Sequence, residues 1–500
     1  GILHFNKGWK GYTLNVTSQQ WLSPEDFAST SSSGSIWYHI LVVIVPDDVK
    51  YKNNASMYIT GWGQPNPDGS NLPTAKDEDI RTAAAMAIST GIITGCLFQI
   101  PNEHTTFASD PIQKSRGEDA IIAFTWDHFL NNPEDTEWLL RFPMVKGSLR
   151  AMDAMTEFVS KKLPNLETSL DYYTVAGASK RGWTTWDLGA VDPDRVVAIV
   201  PIVLDAINFV EVMHHQYQSY DGWSWALSDY LDMNIMSRID DPNMLSLQKL
   251  VDPYFYRNRL TMPKLVVNAV ADEFQQPDDT RYWWDEMPGP KHFIMTPNAE
   301  HSEATGILEI VPAISAWINN LVEDKIIPEF TWDISDETGA ITATLNEYGD
   351  VKEARVWYAY SCGNNPDGKK RRDFRIANTD SPCECGIEAQ GMCANLKSFW
   401  TPKKLVEGKN VDGMRTYTAQ LDAPEDGRWV AFFIDIVYAK NKIDALIPKI
   451  DILPGFIPRD LIQRLQFTTE VSIWPNTFPY VGCGIQDGVD TGIDCAGTIR

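Results

Sequence analysis

No apolar run in the 500-residue chain is long enough to cross a bilayer. The longest, Ile36 to Pro46 and Ile92 to Ile100, fall well short of the ~20 residues a spanning helix needs, and His39 interrupts the first. Basic residues are also in deficit, with 43 Lys plus Arg against 67 Asp plus Glu and a formal charge of −24. That balance repels phosphate backbones and anionic membrane surfaces, which excludes nucleic acid as a partner and membrane insertion as a mode of action. The sequence has no internal repeat of 20 to 50 residues and no low-complexity segment, which argues against solenoids and disordered linkers. It begins at Gly1 without a Met, a basic n-region or an apolar h-region, so either a signal peptide was removed or the start is trimmed.

Cysteine is nearly absent before residue 360, where only Cys96 occurs, in an apolar run. It then clusters as Cys362, Cys383, Cys385, Cys393, Cys483 and Cys495. Zinc sites usually pair cysteines two to four residues apart and add histidine, but Cys383 and Cys385 are one residue apart and no histidine follows His301. The cluster therefore reads as up to three disulfides, which persist only in an oxidising compartment. This points to a secreted protein, or one in the lumen of the secretory or endolysosomal pathway, with no metal or cofactor. The sequons Asn15-Val-Thr and Asn54-Ala-Ser fit a glycoprotein but add little.

What the sequence does have is mass for a large core, at 43% hydrophobic and 22% charged residues. Short β-branched runs alternate with helical stretches from residue 36 to about 327, the pattern of a mostly parallel sheet covered by helices. Strands are predicted at His39 to Val45, Ser56 to Thr60, Gly91 to Gln99, Tyr172 to Ala176, Val196 to Val203, Lys264 to Asn268 and His292 to Met295. Helices are predicted at Thr74 to Thr90, Gly117 to Leu130, Met144 to Leu163 and Ile307 to Val322. After Pro328 the helical period stops and alternating runs appear at Ala340 to Leu345, Lys352 to Tyr360, Trp429 to Tyr438 and Gln466 to Ile473. The expected organisation is an α/β domain over 1–328 with a helical cap inserted near 206–260, followed by a cysteine-containing β-sandwich-like domain over 329–500.

The sharpest local signal is Asp171-Tyr-Tyr-Thr-Val-Ala-Gly-Ala-Ser179-Lys-Arg-Gly-Trp, where a β-run leads through glycine and serine into a helix. That order is a nucleophile elbow, whose tight turn lifts a serine hydroxyl above the sheet edge. A serine that merely caps a helix is the rival reading. A serine nucleophile needs a base and an orienting acid, which follow it in the chain order Ser, acid, His. Lys264-Leu-Val-Val-Asn-Ala-Val-Ala-Asp272 is a strand running into an acidic loop, and His292-Phe-Ile-Met-Thr-Pro-Asn-Ala-Glu-His301 is a strand running into a histidine. Ser179, Asp272 and His301 are thus the candidate catalytic residues, with Glu273 and Asp205 as alternate acids.

Oxyanion donors are expected at the backbone N–H of Lys180 and in the turn holding Trp62 and Gly63. The usual elbow has a small residue two positions after the serine; here Arg181 stands there and glycine is delayed to Gly182. Lys180 and Arg181 either bring positive charge to an anionic substrate or pair with a neighbouring carboxylate. In the cap, His214 to Tyr230 is rich in aromatics, and Tyr220 and Trp223 are candidate substrate-binding residues beside Arg181. Helix packing is the competing role for them, as it is for Tyr282 to Trp284.

The run from Val175 to Asp205, together with Glu118-Asp-Ala-Ile-Ile-Ala-Phe-Thr-Trp, Val251-Asp-Pro-Tyr, Leu260-Thr-Met-Pro-Lys-Leu and Pro297-Asn-Ala-Glu-His, resembles the PhoPQ-activated pathogenicity-related family over roughly residues 10 to 310. The resemblance implies an α/β-hydrolase fold related to the dipeptidyl peptidase IV and prolyl oligopeptidase group, secretion, and a nucleophile at Ser179 with Asp272 and His301. It also implies a second class of function, because some members are extracellular signals that restrain proliferation and repel cells, a role that needs only a cell-surface receptor. A third reading, a sugar esterase, rests on Lys180, since glucuronoyl esterases carry a basic residue at the matching place in a similar elbow. The first reading is a serine hydrolase acting on a peptide or small-molecule ester.

Overall fold

A computed structural model describes residues 2–4, 8–30, 34–61, 72–346, 349–363, 368–438, 446–447, 461–462 and 465–500. The apolar runs of the first 300 residues assemble into one sheet of nine strands: β1 (Ile2–His4), β2 (Trp9–Gln20), β3 (Ile36–Pro46), β4 (Asn54–Ile59), β5 (Ile93–Leu97), β6 (Tyr172–Ala178), β7 (Val196–Ile202), β8 (Lys264–Ala269) and β9 (Lys291–Thr296). Their spatial order is β1-β2-β3-β5-β4-β6-β7-β8-β9. The β1/β2, β2/β3 and β3/β5 pairs are antiparallel, and every pair from β5/β4 to β8/β9 is parallel. A parallel sheet must be covered on both faces, and its strands are accordingly buried along nearly their whole length. Alternate residues of β8 supply opposite cores: Leu265, Val267 and Ala269 join one cluster and Val266 the other.

Helices α1 (Glu78–Thr90), α2 (Glu118–Asn131), α3 (Arg141–Lys162), α4 (Lys180–Val191), α5 (Phe209–Tyr220), α6 (Ser228–Asp232), α7 (Pro242–Val251) and α8 (Ile307–Val322) complete the layers. Helices α1 and α8 pack together on one face, while α3 and α4 pack together on the other, burying Met152, Met155, Trp183 and Trp186. This is the order, crossover pattern and two-sided cover of an α/β-hydrolase fold.

The predicted strands recur within one to three residues of their ends. Helix α1 starts later than Thr74 because Thr74 and Asp77 close a turn, and the Asp77 side chain then caps the helix by accepting from the Asp79 N–H at 3.1 Å. Strand β2 was not anticipated. It carries polar residues such as Lys10, Asn15 and Thr17, and is fixed by its ladder along β3 rather than by its own composition.

After α8 the chain forms a four-stranded sheet (Phe330–Ile334, Ile341–Leu345, Arg415–Ala419, Gly408–Lys409) and a five-stranded one (Thr401–Lys404, Val351–Tyr360, Val430–Tyr438, Gln466–Thr468, Ser472–Trp474). Their inner residues, among them Ile341, Ala343, Tyr417, Val356, Phe432 and Ile434, share one apolar cluster, as in a sandwich. The predicted single strand Gln466 to Ile473 is two, because the Thr469 hydroxyl takes the Ile434 N–H at 3.0 Å and interrupts the ladder. The cysteines pair as Cys362–Cys385, Cys383–Cys393 and Cys483–Cys495, leaving Cys96 free and buried.

Buried charge ties the two groups of sheets together. The Arg372 guanidinium is bidentate on Asp278 at 3.0 and 2.6 Å and donates to His215 Nε2 at 3.0 Å. Burial, only partly countered by Asp278, lowers the His215 pKa to about 3, so the ring is neutral; its Nε2 accepts from Arg372 and its Nδ1–H donates to Asp279 at 2.6 Å. Replacing Arg372 with Met strands the Asp278 carboxylate in the interior, and urea unfolding is expected to show a loss of about 3–5 kcal/mol. The double variant Arg372→Met/Asp278→Leu should recover most of that loss; a loss below about 1 kcal/mol in the single variant would show that the pair is not a structural tie.

Candidate active site

Strand β6 turns directly into α4 at Ser179, whose backbone is held at φ 58 and ψ −128. Two glycines permit the turn. A Cβ on Gly177 would lie 2.6 Å from the Arg181 carbonyl oxygen, and one on Gly182 would lie 2.8 Å from that of Ile202. The Ser179 N–H donates to the Ile202 carbonyl at 2.9 Å, fixing the turn to the end of β7.

His301 lies on the loop after β9, and its Nε2 is 2.7 Å from Ser179 Oγ. Its Nδ1 is 2.7 Å from Asp272 Oδ2, on the loop after β8. The other carboxylate oxygen of Asp272 accepts from the N–H groups of Phe274 and Gln275 at 2.7 and 3.3 Å, so this acid is held from both ends. The Phe274 ring packs 4.4 Å from the imidazole. Of the alternate acids, Glu273 accepts from the His301 backbone N–H at 3.0 Å and positions the loop rather than the ring. Asp205 instead accepts from the Trp283 indole at 2.7 Å, and burial raises its pKa well above the usual carboxylate range.

The residue that departs from the usual elbow explains itself. Gly61, after β4, has no Cβ, and the Arg181 guanidinium fills the space a Cβ would need. From there Arg181 donates through Nε to the Ile100 carbonyl at 2.5 Å and clasps both oxygens of Glu118. The Lys180 ammonium is 2.7 Å from Glu118 and 2.9 Å from Asp119. Both cations are thus paired with the start of α2, which corrects the expectation that Arg181 meets substrate and removes the support Lys180 gave to the sugar-esterase reading. Glu118 and Asp119 were visible only as part of a family motif; nothing in their spacing from Ser179 announced the pairing. The main-chain N–H of Lys180 opens α4 and has no intrahelical acceptor, as an oxyanion donor requires. Trp62 and Gly63, the other expected donors, lie outside the described residues.

Tyr220 and Trp223 do not line the space at Ser179. Tyr220 is buried with the Arg375 guanidinium 4.4 Å over its ring, and the Trp223 indole donates to the Cys495 carbonyl at 2.9 Å. The aromatic end of α5 is covered by the C-terminal segment instead of by ligand. The cavity that does open at Ser179 is formed by Trp126 and Ile122 of α2, Phe209 and Met213 of α5, Leu227 and Tyr230, Ile235, Met236 and Ile239, with His301 and Phe274 at its mouth. His214 comes within ligand distance of Cys483 and Cys495, but those sulfurs are bonded to each other, so no thiolate is offered to a metal.

Comparison with known proteins adds the following. The family model for the PhoPQ-activated pathogenicity-related protein matches residues 4–375. Autocrine proliferation repressor protein A of Dictyostelium discoideum is 34% identical over 482 residues, covering 95% of this chain and 86% of that protein. Similar solved structures include Est1E from Butyrivibrio proteoclasticus, at 12% identity and TM-score 0.35 over 60% of this chain and 99% of that one. The acylaminoacyl peptidase of Pyrococcus horikoshii is another, at 12% identity and TM-score 0.38 over 64% of this chain and 42% of that one.

Burial and the neighbouring Glu118 charge raise the pKa of Glu103 to about 7. A raised acid stabilises the fold while protonated and loses that contribution as pH climbs from the unfolded value near 4.5 through about 7. Urea unfolding at pH 5 and pH 8 should therefore show a smaller drop in stability with pH for Glu103→Gln than for the wild type. An unchanged drop would place the titration elsewhere.

Proposed function

The chain belongs to the PhoPQ-activated pathogenicity-related protein family, and we propose that it is a secreted serine hydrolase of the esterase or peptidase class, with Ser179 as nucleophile, His301 as base and Asp272 as orienting acid. The observation that carries this reading is the unbroken relay of two 2.7 Å contacts from Asp272 Oδ2 through His301 to Ser179 Oγ. Asp272 accepts a hydrogen bond from the His301 Nδ1–H, which fixes the tautomer that leaves Nε2 free to take the serine proton. Ser179 Oγ then attacks a carbonyl carbon, the new oxyanion faces the Lys180 N–H, and His301 returns the proton to the departing alcohol or amine. Water repeats the sequence to release the acid. Three disulfides support an extracellular setting.

A second reading, an extracellular signal that restrains proliferation through a cell-surface receptor, is supported by the name of the D. discoideum relative. The two separate cleanly. A fluorophosphonate probe should label Ser179 in the native protein, and Ser179→Ala and His301→Ala should abolish labelling. Turnover of any ester or peptide substrate should fall roughly 10⁶-fold in Ser179→Ala. Absence of labelling, with receptor binding retained by Ser179→Ala, would favour the signalling role alone.

Asn298 is a positioning residue under the same reading. Its amide donates to the Trp400 carbonyl at 3.0 Å and accepts the Trp400 N–H at 2.7 Å, pinning the loop that carries His301. Asn298→Gly keeps its left-handed φ of 56 but loses both bonds. The labelling rate is expected to fall about tenfold, the equivalent of ~1.4 kcal/mol, with KM for a turned-over ester nearly unchanged. A rise in KM at constant kcat would assign the contact to binding instead.

A further inference from the structure

The cavity beside Ser179 has a volume of about 80 Å³ and opens to solvent. A cavity of ~150 Å³ is enough to hold benzene, so this one takes about half as much. Its walls are closely packed: Trp126 stacks on Phe209 at 5.2 Å and meets Tyr230 edge-on at 5.5 Å, and Met213, Leu227 and Met236 are buried around them.

Most polar groups on the wall are committed to one another. Tyr230 donates to Asp119 at 3.0 Å, and Asp119 also holds Lys180 at 2.9 Å. Arg141 donates to the Lys180 carbonyl at 2.6 Å and to Thr184 at 3.2 Å, and its Nε lies 4.0 Å from Asp187. Gln275 donates to the Val203 carbonyl at 3.1 Å and accepts the Asp205 N–H. Arg141 Nε is buried without a hydrogen-bond partner among the described residues, and a polar acyl substituent that does not reach it would enter this space at the cost of its own desolvation.

Resting on the hydrolase reading above, we infer that this chamber is the acyl pocket of Ser179 and that it selects short aliphatic acyl groups of about two to four carbons. Alcohol or amine portions that are polar stay on the solvent side, at the mouth formed by His301 and Phe274. Aromatic and long-chain acyl groups exceed the space, and a carboxylate on the acyl chain would have only Arg141, itself 4.0 Å from Asp187, to meet.

The test uses the full chain with p-nitrophenyl acetate, butyrate, octanoate, benzoate and hemisuccinate, in parallel with ethyl- and octyl-phosphonofluoridate probes of Ser179. Acetate and butyrate are expected to exceed octanoate and benzoate by at least about tenfold in kcat/KM, with ethyl labelling faster than octyl by a similar factor. Met236→Ala and Leu227→Ala, which remove wall atoms, should raise the octanoate-to-butyrate ratio by about tenfold. Octanoate, benzoate or hemisuccinate matching butyrate in the wild type would overturn the inference, as would a ratio that neither variant moves. If esters are not turned over but the probes react, the order of labelling rates decides. No reaction with either probe would instead sink the hydrolase reading itself.

Discussion

Ser179 is held in a backbone region that side chains other than glycine avoid, and the surroundings of the site exist to keep it there. Such a conformation costs about 1–3 kcal/mol and persists only where packing over-determines it. Here the over-determination is local and physical. Two glycines let the turn approach the ends of β6 and β7, the Ser179 N–H is fixed to Ile202, and α4 is anchored by the buried Trp183 and Trp186. Each of those indoles contributes roughly as much by burial as the turn costs. The strain therefore falls on the residue whose hydroxyl must stand clear of the sheet, and the helix that follows absorbs it.

Electrostatics at the site are arranged to cancel rather than to attract. Two cations follow the serine, and two carboxylates at the start of α2 consume them. The Lys180 and Arg181 charges alone would hold Glu118 low; burial opposes them, and the net result is a carboxyl well below its usual range. The Arg181–Glu118 clasp works as a strut between the elbow, the Gly61 turn and Ile100, which matters more to geometry than to charge. A chain of formal charge −24 repels anions at long range as well.

Much of this was legible in the residues. The parallel sheet, the elbow at Ser179 and the strand-end positions of Asp272 and His301 could be read because each depends on local pattern: β-branched runs, a glycine before the serine, a polar residue where an apolar run stops. Contacts between distant segments could not. Arg181 resembled a substrate anchor until its partner, 63 positions earlier, was seen. Tyr220 and Trp223 looked like pocket lining because aromatic composition is the same whether the neighbour is a ligand or, as here, distant parts of the same chain, Arg375 and Cys495. Asn298 was visible only as part of the family motif Pro297 to His301, and its partner Trp400 lies 102 residues away.

The sheets after residue 330 therefore bear on the chemistry although they contribute no residue to the relay. Trp400 holds the His301 loop, and the segment leading to it is closed by the Cys362–Cys385 and Cys383–Cys393 bridges. Each bridge restricts the unfolded chain and favours the ordered segment by about 3 kcal/mol in the loop-entropy account. The segment from α5 through Ile239 that lines the cavity is also held by distant parts of the chain. The Trp223 N–H donates to the Thr498 carbonyl at 2.8 Å, the Arg500 N–H donates to the Trp223 carbonyl at 2.7 Å, and Arg372 grips Asp278. A wall tied down by backbone pairing and buried ion pairs does not swing open as a lid on a loop would. The size of the chamber at Ser179 is then a property of the folded chain as a whole, set by residues that never approach the serine.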